Sequence, residues 1–338
     1  MYNFGFEPAK VGGQMTKTQR ICNWKDYNEA LVKRGEIIFS FDVSHLKQIF
    51  YRGKQNRGGV RKFTQSMYEY LLTLKAILRL PWRATIGFAR GLIKRVYNKG
   101  FALPNYAHAA REANKLDLKI KSYSIKEMGK GMEIAFDSTG VNVYTTSGYH
   151  QRKHGKGNLY RKRDQWKKIH FAIDLKEQQI LSMVYTKSNV NDCEVVCELS
   201  KGIKGKISKT IADGAYDTEE LHKLIHDWGA QAVIPPAITS KAQHELKNKK
   251  PYKEHLKQRD EIIGKIRKEE DFRTGLKRWK IESGYHQRSL VETCIFRFKR
   301  IFGFHLQQKA EKGRRNEIIT KINLLNKMLL LGMPQYSV

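Results

Sequence analysis

Apolar residues recur at helical spacing between residues 65 and 115. Met67, Leu71, Leu74, Ile77 and Leu78 form one stripe, and Ile86, Ala89, Ile93 and Val96 form a second. Pro81 lies between them and stops the first helix. Leu103-Pro104-Asn105 reads as a helix start, with Asn105 as N-cap of a third helix running to about Lys115. From Met132 the period changes to that of strands. Glu133–Phe136 and Val141–Tyr144 read as two strand halves around the polar run Asp137-Ser138-Thr139-Gly140.

Strands at Lys168–Leu175 and Ile180–Lys187 follow, joined by a turn at Lys176–Gln179. Next come a helix at Asp192–Leu199 and a buried strand at Thr210–Ala212. A helix capped by Thr218 runs to Trp228-Gly229, and a short strand at Ala232–Ile234 stops at Pro235-Pro236. Antiparallel hairpins followed by strand–helix–strand crossovers predict an α/β fold: a mixed sheet with helices on its faces. A final apolar helix spans Ile318–Leu331 and is ended by Gly332 and Pro334. Core packing against the sheet and a subunit interface are both open for that helix.

The pattern divides the chain near residue 128 into a helical region, 1–128, and a strand-rich region, 129–338. Residues 241–280 interrupt the second with 14 Lys+Arg and seven acids, and read as a charged, partly helical insertion.

Charge sharpens the picture. The 338 residues carry 64 Lys+Arg against 33 Asp+Glu, a net charge of +31. Such an excess favours a polyanionic partner, usually nucleic acid, and has no obvious use in a small-molecule metabolic enzyme. Residues 51–100 hold twelve Lys+Arg and one acid, Glu69. Three short helices with tight turns and a basic surface suit a helix-turn-helix DNA-binding unit. The third would read DNA, with Tyr106, His108, Arg111 and Lys115 available for contact. A helical packing domain with merely solvated charges is the alternative.

Four cysteines, at 22, 193, 197 and 294, make no disulfide framework in a chain this long and read as buried free thiols. No signal pattern or long apolar run is present, so a cytoplasmic location beside a bacterial nucleoid is expected, with no membrane contact. His150 and His154 are spaced i,i+4 but lack a third ligand nearby and read as solvated. Trp279 reads as a packing residue, with base stacking as the alternative.

Asp137 and Asp213 both fall at strand ends or kinks, where functional groups collect in such sheets. A third acid lies in the stretch from Tyr285 to Lys299. On a helical wheel Tyr285, Arg288, Glu292 and Lys299 fall within an arc of about 60°. Val291, Ile295, Phe298 and Phe302 form the adjoining apolar stripe. Arg288 and Glu292 at i,i+4 could equally be an ordinary surface ion pair.

Three blocks resemble the DDE transposases of bacterial insertion sequences, specifically insertion-sequence group five. They are Phe136-Asp-Ser-Thr-Gly140, Ala212-Asp-Gly-Ala-Tyr-Asp217, and Tyr285, Arg288, Glu292 and Lys299 at the spacing of that family's tyrosine–arginine–glutamate–lysine signature. Lys168–Asp174 and Leu331–Pro334 are similar to the family as well. The resemblance spans about 129–338, and 1–128 more loosely.

It implies a ribonuclease-H-like catalytic domain, with an insertion at about 237–283, behind the helical DNA-binding region. It further implies Asp137, Asp213 and Glu292 as the catalytic acids, holding a pair of Mg²⁺ ions for which Mn²⁺ can substitute. Asp217 is the alternative second acid. Tyr285, Arg288 and Lys299 would contact DNA, with Arg111 and Lys115 from the third helix. The implied partners are the terminal inverted repeats, target DNA and a second copy of the chain in a synaptic complex. A nuclease without strand transfer and a transposase-derived DNA-binding protein remain alternatives.

Overall fold

The computed structural model describes residues 20–39, 63–97, 102–121, 131–143, 166–203, 205–245 and 251–337. His150 and His154 lie outside these residues. Strand β1 (Arg20–Ile21) and helix α1 (Trp24–Glu36) open the chain. Helices α2 (Gln65–Leu78), α3 (Trp82–Tyr97) and α4 (Tyr106–Lys115) follow. Asn105 caps α4 as its sequence predicts, accepting a hydrogen bond from the Ala107 amide at 2.9 Å. Met67, Leu71, Leu74, Ile86, Ala89 and Ala109 join the three helices in one small core.

Helix α2 ends before Pro81, because Arg79 already takes a left-handed φ of 52°. Its guanidinium reaches the Arg300 and Ile301 carbonyls at the end of a later helix. Those bonds hold a backbone conformation that a non-glycine residue otherwise avoids.

The sheet comprises β2 (Met132–Val143), β3 (Trp166–Asp174), β4 (Ile180–Lys187), β5 (Ile207–Ile211), β6 (Gln231–Val233) and β7 (His305–Leu306). Its order is β4-β3-β2-β5-β6, with β7 on β2. The β3 and β4 pairings are antiparallel and those of β5, β6 and β7 are parallel, so the sheet is mixed. Strand β2 runs unbroken where two halves were expected. Asp137 pairs with Phe171, Ser138 with His170 and Gly140 with Lys168. Ladder hydrogen bonds come from the backbone, so polar side chains do not interrupt them. Asp137 therefore sits inside a strand, not at its end. On the β5 side, β2 is paired with β5 only over 132–135 and with β7 only at 142–143, and Asp137 lies in the gap.

Side chains alternate across the sheet. Ala135, Val141, Ile169 and Phe171 share one face. Helices α9 (Ser289–Phe302) and α10 (Glu311–Leu330) cover it with Val291, Phe298, Phe302 and Ile322. The Phe171 and Phe298 rings meet edge-on at 5.7 Å. Each fully buried aromatic or aliphatic side chain of this kind contributes about 2 kcal/mol. Ile134, Phe136 and Ala172 share the other face, under α5 (Val196–Lys201) and α6 (Glu219–Asp227). The insertion is helical: α7 (Lys257–Ile266) and α8 (Phe272–Glu282).

Helix α10 is buried on nearly all sides, which places its apolar residues in the core. One side meets the sheet and the other meets α2 and α4. The Asn316 amide donates to the Ala113 and Leu116 carbonyls at 2.9 and 2.8 Å. Strand β8 (Tyr336–Ser337) then pairs with β1. Of the cysteines, only Cys294 is buried, its thiol pushed up to about 12 by burial; Cys22 and Cys197 are exposed, contrary to expectation. Cys22 follows the two-residue strand β1 and Cys197 lies on a short surface helix, neither thick enough to enclose them.

Candidate active site

Asp137 projects from β2 toward α9, on the same sheet face as Ala135 and Val141. The Ser138 amide donates to its Oδ1 at 2.8 Å. Asp213 follows β5 and caps a short 3₁₀ turn, accepting from the Ala215 amide at 3.0 Å. Glu292 lies in the first turn of α9, where the helix dipole favours a carboxylate.

Tyr285 and Arg288 do not continue that helix. Gly284, at φ 69°, turns the chain into a separate 3₁₀ turn over Tyr285–Arg288, and α9 starts at Ser289. The left-handed φ is one that glycine adopts freely. The turn aims Arg288 between the acids. Its guanidinium bonds Glu292 and stands 3.8 Å from Asp137 Oδ2. So the pair expected from i,i+4 spacing exists, but it is half of a bridge between two distant segments.

The electrostatics fit one shared cluster. Burial pushes the Asp137 carboxyl up; Ser138 and Arg288 oppose this, and the Asp213 and Glu292 charges add to it. Burial works against the Arg288 charge, but Tyr285, Glu292, Asp137 and Asp213 outweigh it and its pKa is raised. Burial likewise raises the Tyr285 phenol. Tyr285 packs beside Trp279, and Lys280 Nζ stands 5.1 Å from its ring centroid. Trp279 is thus a packing residue. Lys299 is partly buried further along α9.

Asp217 has other partners. Arg259, from α7, grips it with two bonds of 2.9 and 3.0 Å, and His222 Nε2 lies at 2.8 Å. Burial raises its pKa, yet His222 and Arg259 prevail and hold it below the usual carboxylate range. A carboxylate so occupied is poorly placed to take a ligand, which separates it from Asp213.

Arg111 and Lys115 are exposed on α4, in the helical layer rather than the acid cluster; Lys115 pairs with Glu112 at 2.6 Å. His108 faces the Tyr68 hydroxyl at 3.0 Å, so it is not a freely presented side chain. Arg83 lies over the Tyr106 ring at 4.7 Å.

A second group went unforeseen. Asp192 lies 2.8 Å from Lys168 Nζ and 3.1 Å from His170 Nδ1, and the His170, Lys168 and Ser138 side chains overcome burial to hold it at about 2. An alternating Lys-x-His on a strand was its only trace in the sequence.

The oxygen-only donor set of Asp137, Asp213 and Glu292 suits a hard divalent cation in kind. Among the described residues, no three His, Cys, Asp or Glu side chains converge closely enough to hold a metal ion. Arg288 supplies positive charge between two of the three acids.

A family model described as a transposase DDE domain matches residues 129–326, more than half of the chain. The chain belongs to the DDE transposase family. A second model of the same description matches residues 32–146. A transposase of this family is a polynucleotidyl transferase or nuclease, and the family generally uses divalent metals. Among solved structures, a piggyBac transposase synaptic complex with hairpin DNA is similar at 10% identity and a TM-score of 0.39. The match covers 93% of this transposase and 77% of that chain, at a TM-score too low to bear on the fold. No described helix of this transposase is long and apolar enough to cross a membrane.

Proposed function

We propose that the protein is an insertion-sequence transposase of group five. It binds the terminal inverted repeats of its element, cleaves the DNA there and joins the freed end to target DNA. The observation carrying this reading is the gathering of Asp137 and Glu292, far apart in sequence, around one arginine, with the Asp213 charge acting on both Asp137 and Arg288.

Asp137, Asp213 and Glu292 would hold Mg²⁺, or Mn²⁺ in its place, which when bound neutralises phosphate charge and activates the attacking oxygen. Water attacks the phosphodiester at the element's end and releases a 3′-hydroxyl. That hydroxyl then attacks a target phosphodiester in the same site, so one bond forms as another breaks. Arg288, with its planar fork, and Lys299 hold phosphates of the end. Tyr285 lies against the DNA backbone, steadied by Trp279. Arg111 and Lys115 contact the repeat from α4, and the helical region 1–128 serves as the DNA-binding part. The mixed sheet with helices on both faces supports a ribonuclease-H-like catalytic region from 129 onward. Two ends of one element call for two active sites, hence a homodimer on DNA. A monomeric mass for the assembled DNA complex would contradict that dimer.

The test uses DNA carrying the element's ends and a supercoiled target. Wild type should give divalent-metal-dependent nicks at the repeat and joined products, and Glu292→Gln neither. Binding without cleavage by both proteins would instead favour a transposase-derived DNA-binding protein.

A further inference from the structure

Helix α3 turns an acid-free face outward. It carries Arg83, Arg90, Lys94 and Arg95 and no Asp or Glu, whereas α4 carries two cations and the acid Glu112. All four α3 cations are exposed, and among the described residues none of them pairs with a carboxylate. Ile86, Ala89 and Ile93 occupy the buried side. At about 100° per residue, Arg83, Arg90 and Lys94 fall within an arc of about 40° on one flank of the exposed face. Arg95 lies on the other flank. Gly87, Gly91 and Ala84 fill the arc between, so the middle of the face carries almost no side chain.

The two glycines have no reason inside the fold. Both keep a helical backbone, so neither serves a left-handed φ. A Cβ on either would meet nothing within 4 Å. Glycine in a helix interior weakens the helix relative to alanine. A cost that internal packing does not offset points to a surface outside the chain that approaches the backbone closely. The unpaired cations on both flanks make that surface polyanionic.

A DNA duplex has the matching shape. Its major groove, about 12 Å wide, admits an α-helix, whose full diameter is about 10–12 Å. The bare middle lets the backbone sink toward the groove floor, while long cationic side chains on the flanks reach phosphates on either wall. Arg83 lies over the Tyr106 ring at 4.7 Å, and Tyr106 opens α4, so the α3 face continues onto that helix.

We propose that α3 enters the major groove of the element's end, with Arg83, Arg90, Lys94 and Arg95 on its phosphates and Gly87 and Gly91 permitting the close approach. The proposal rests on the reading of the helical region as the DNA-binding part. Arg111 and Lys115 of α4 then contact the duplex beside the groove.

The test measures dissociation constants for a duplex carrying the element's end across a salt series, and thermal unfolding midpoints, with the full chain. It compares wild type with three variants: Arg83→Gln, Arg90→Gln, Lys94→Gln and Arg95→Gln combined; Gly87→Leu with Gly91→Leu; and Arg111→Ala with Lys115→Ala. Each phosphate contact contributes about 0.9 to the slope of log affinity against log salt, so the fourfold variant should flatten that slope by about three to four. The leucine variant should bind about tenfold more weakly, because side chains now fill the bare strip. It should also unfold at a higher temperature than wild type, because leucine is the better helix former. A purely structural role for the glycines would lower binding and stability together, and would overturn the close approach. Wild-type slope and affinity in the fourfold variant, or wild-type affinity in the leucine variant, overturns the proposal. A flattened slope in the α4 variant would then leave the DNA-binding reading of the region standing. Failure of wild type itself to bind the end sinks that reading.

Discussion

At the residue scale, Asp213 and Asp217 are four positions apart and have opposite environments. Asp213 is partly exposed and its charge acts on Asp137, whereas the Asp217 carboxyl is buried against Arg259 and His222. Asp213→Asn should abolish strand cleavage and leave stability and DNA binding near wild type. Asp217→Asn should keep cleavage and lose stability, costing about 3 kcal/mol because the half-buried Arg259 loses its carboxylate partner. Urea unfolding and a cleavage assay on both variants separate these outcomes.

The Asp217 carboxyl, held below its ordinary value of 3.8, also sets a pH dependence. Its contribution is complete above that ordinary value and is lost as pH falls through the lower folded one. Wild type should lose more stability than Asp217→Asn between about pH 5 and pH 2. Equal slopes in urea titrations across that range would contradict the assignment. The three candidate acids are named from motif spacing, which sequence alone carries. Arg259 was not legible in the sequence, since its 42-residue separation from Asp217 leaves no local pattern.

At the scale of elements, strong periodicity was enough. Strand β4 occupies Ile180–Lys187, and the stripes at 67–78 and 86–93 lie on α2 and α3, as their spacing predicts. Two readings departed. Polar residues in β2 were read as a break, although the backbone ladder passes through them. Tyr285 to Lys299 was read as one helix, although Gly284 and a 3₁₀ turn precede α9. In both places the local pattern gives way at candidate site residues.

The insertion helices supply an element-level prediction. A Cβ on Gly275 would stand 1.9 Å from the Ile266 carbonyl oxygen, whereas one on Gly264 would meet nothing within 4 Å. Gly275→Ala should therefore destabilise the protein by about 2 kcal/mol through overpacking. Gly264→Ala, in a helix interior, should stabilise it by about 0.5–1 kcal/mol. Thermal unfolding of the two variants checks the pair, and matching shifts would contradict the close approach of α7 and α8.

At the scale of the whole molecule, the helical and strand-rich regions are bound through α10. Asn316 holds α4 to it, and β1 pairs with β8 at the other end of the sequence. Asn316→Ala leaves two buried carbonyls without that donor and should cost about 2 kcal/mol, read as a lowered unfolding midpoint. The net charge of +31 should make DNA affinity fall steeply with salt, and Arg111→Ala with Lys115→Ala should flatten that slope by about two ions. An unchanged slope would remove α4 from the DNA surface.

The most direct measurement is strand cleavage and joining by wild type and Glu292→Gln on DNA bearing the element's ends, with Mg²⁺ or EDTA, and sequencing of the products. Metal-dependent nicks at the repeat with joined products, absent from Glu292→Gln although it binds the DNA equally well, are the predicted result. Cleavage by Glu292→Gln at the wild-type rate would contradict the account.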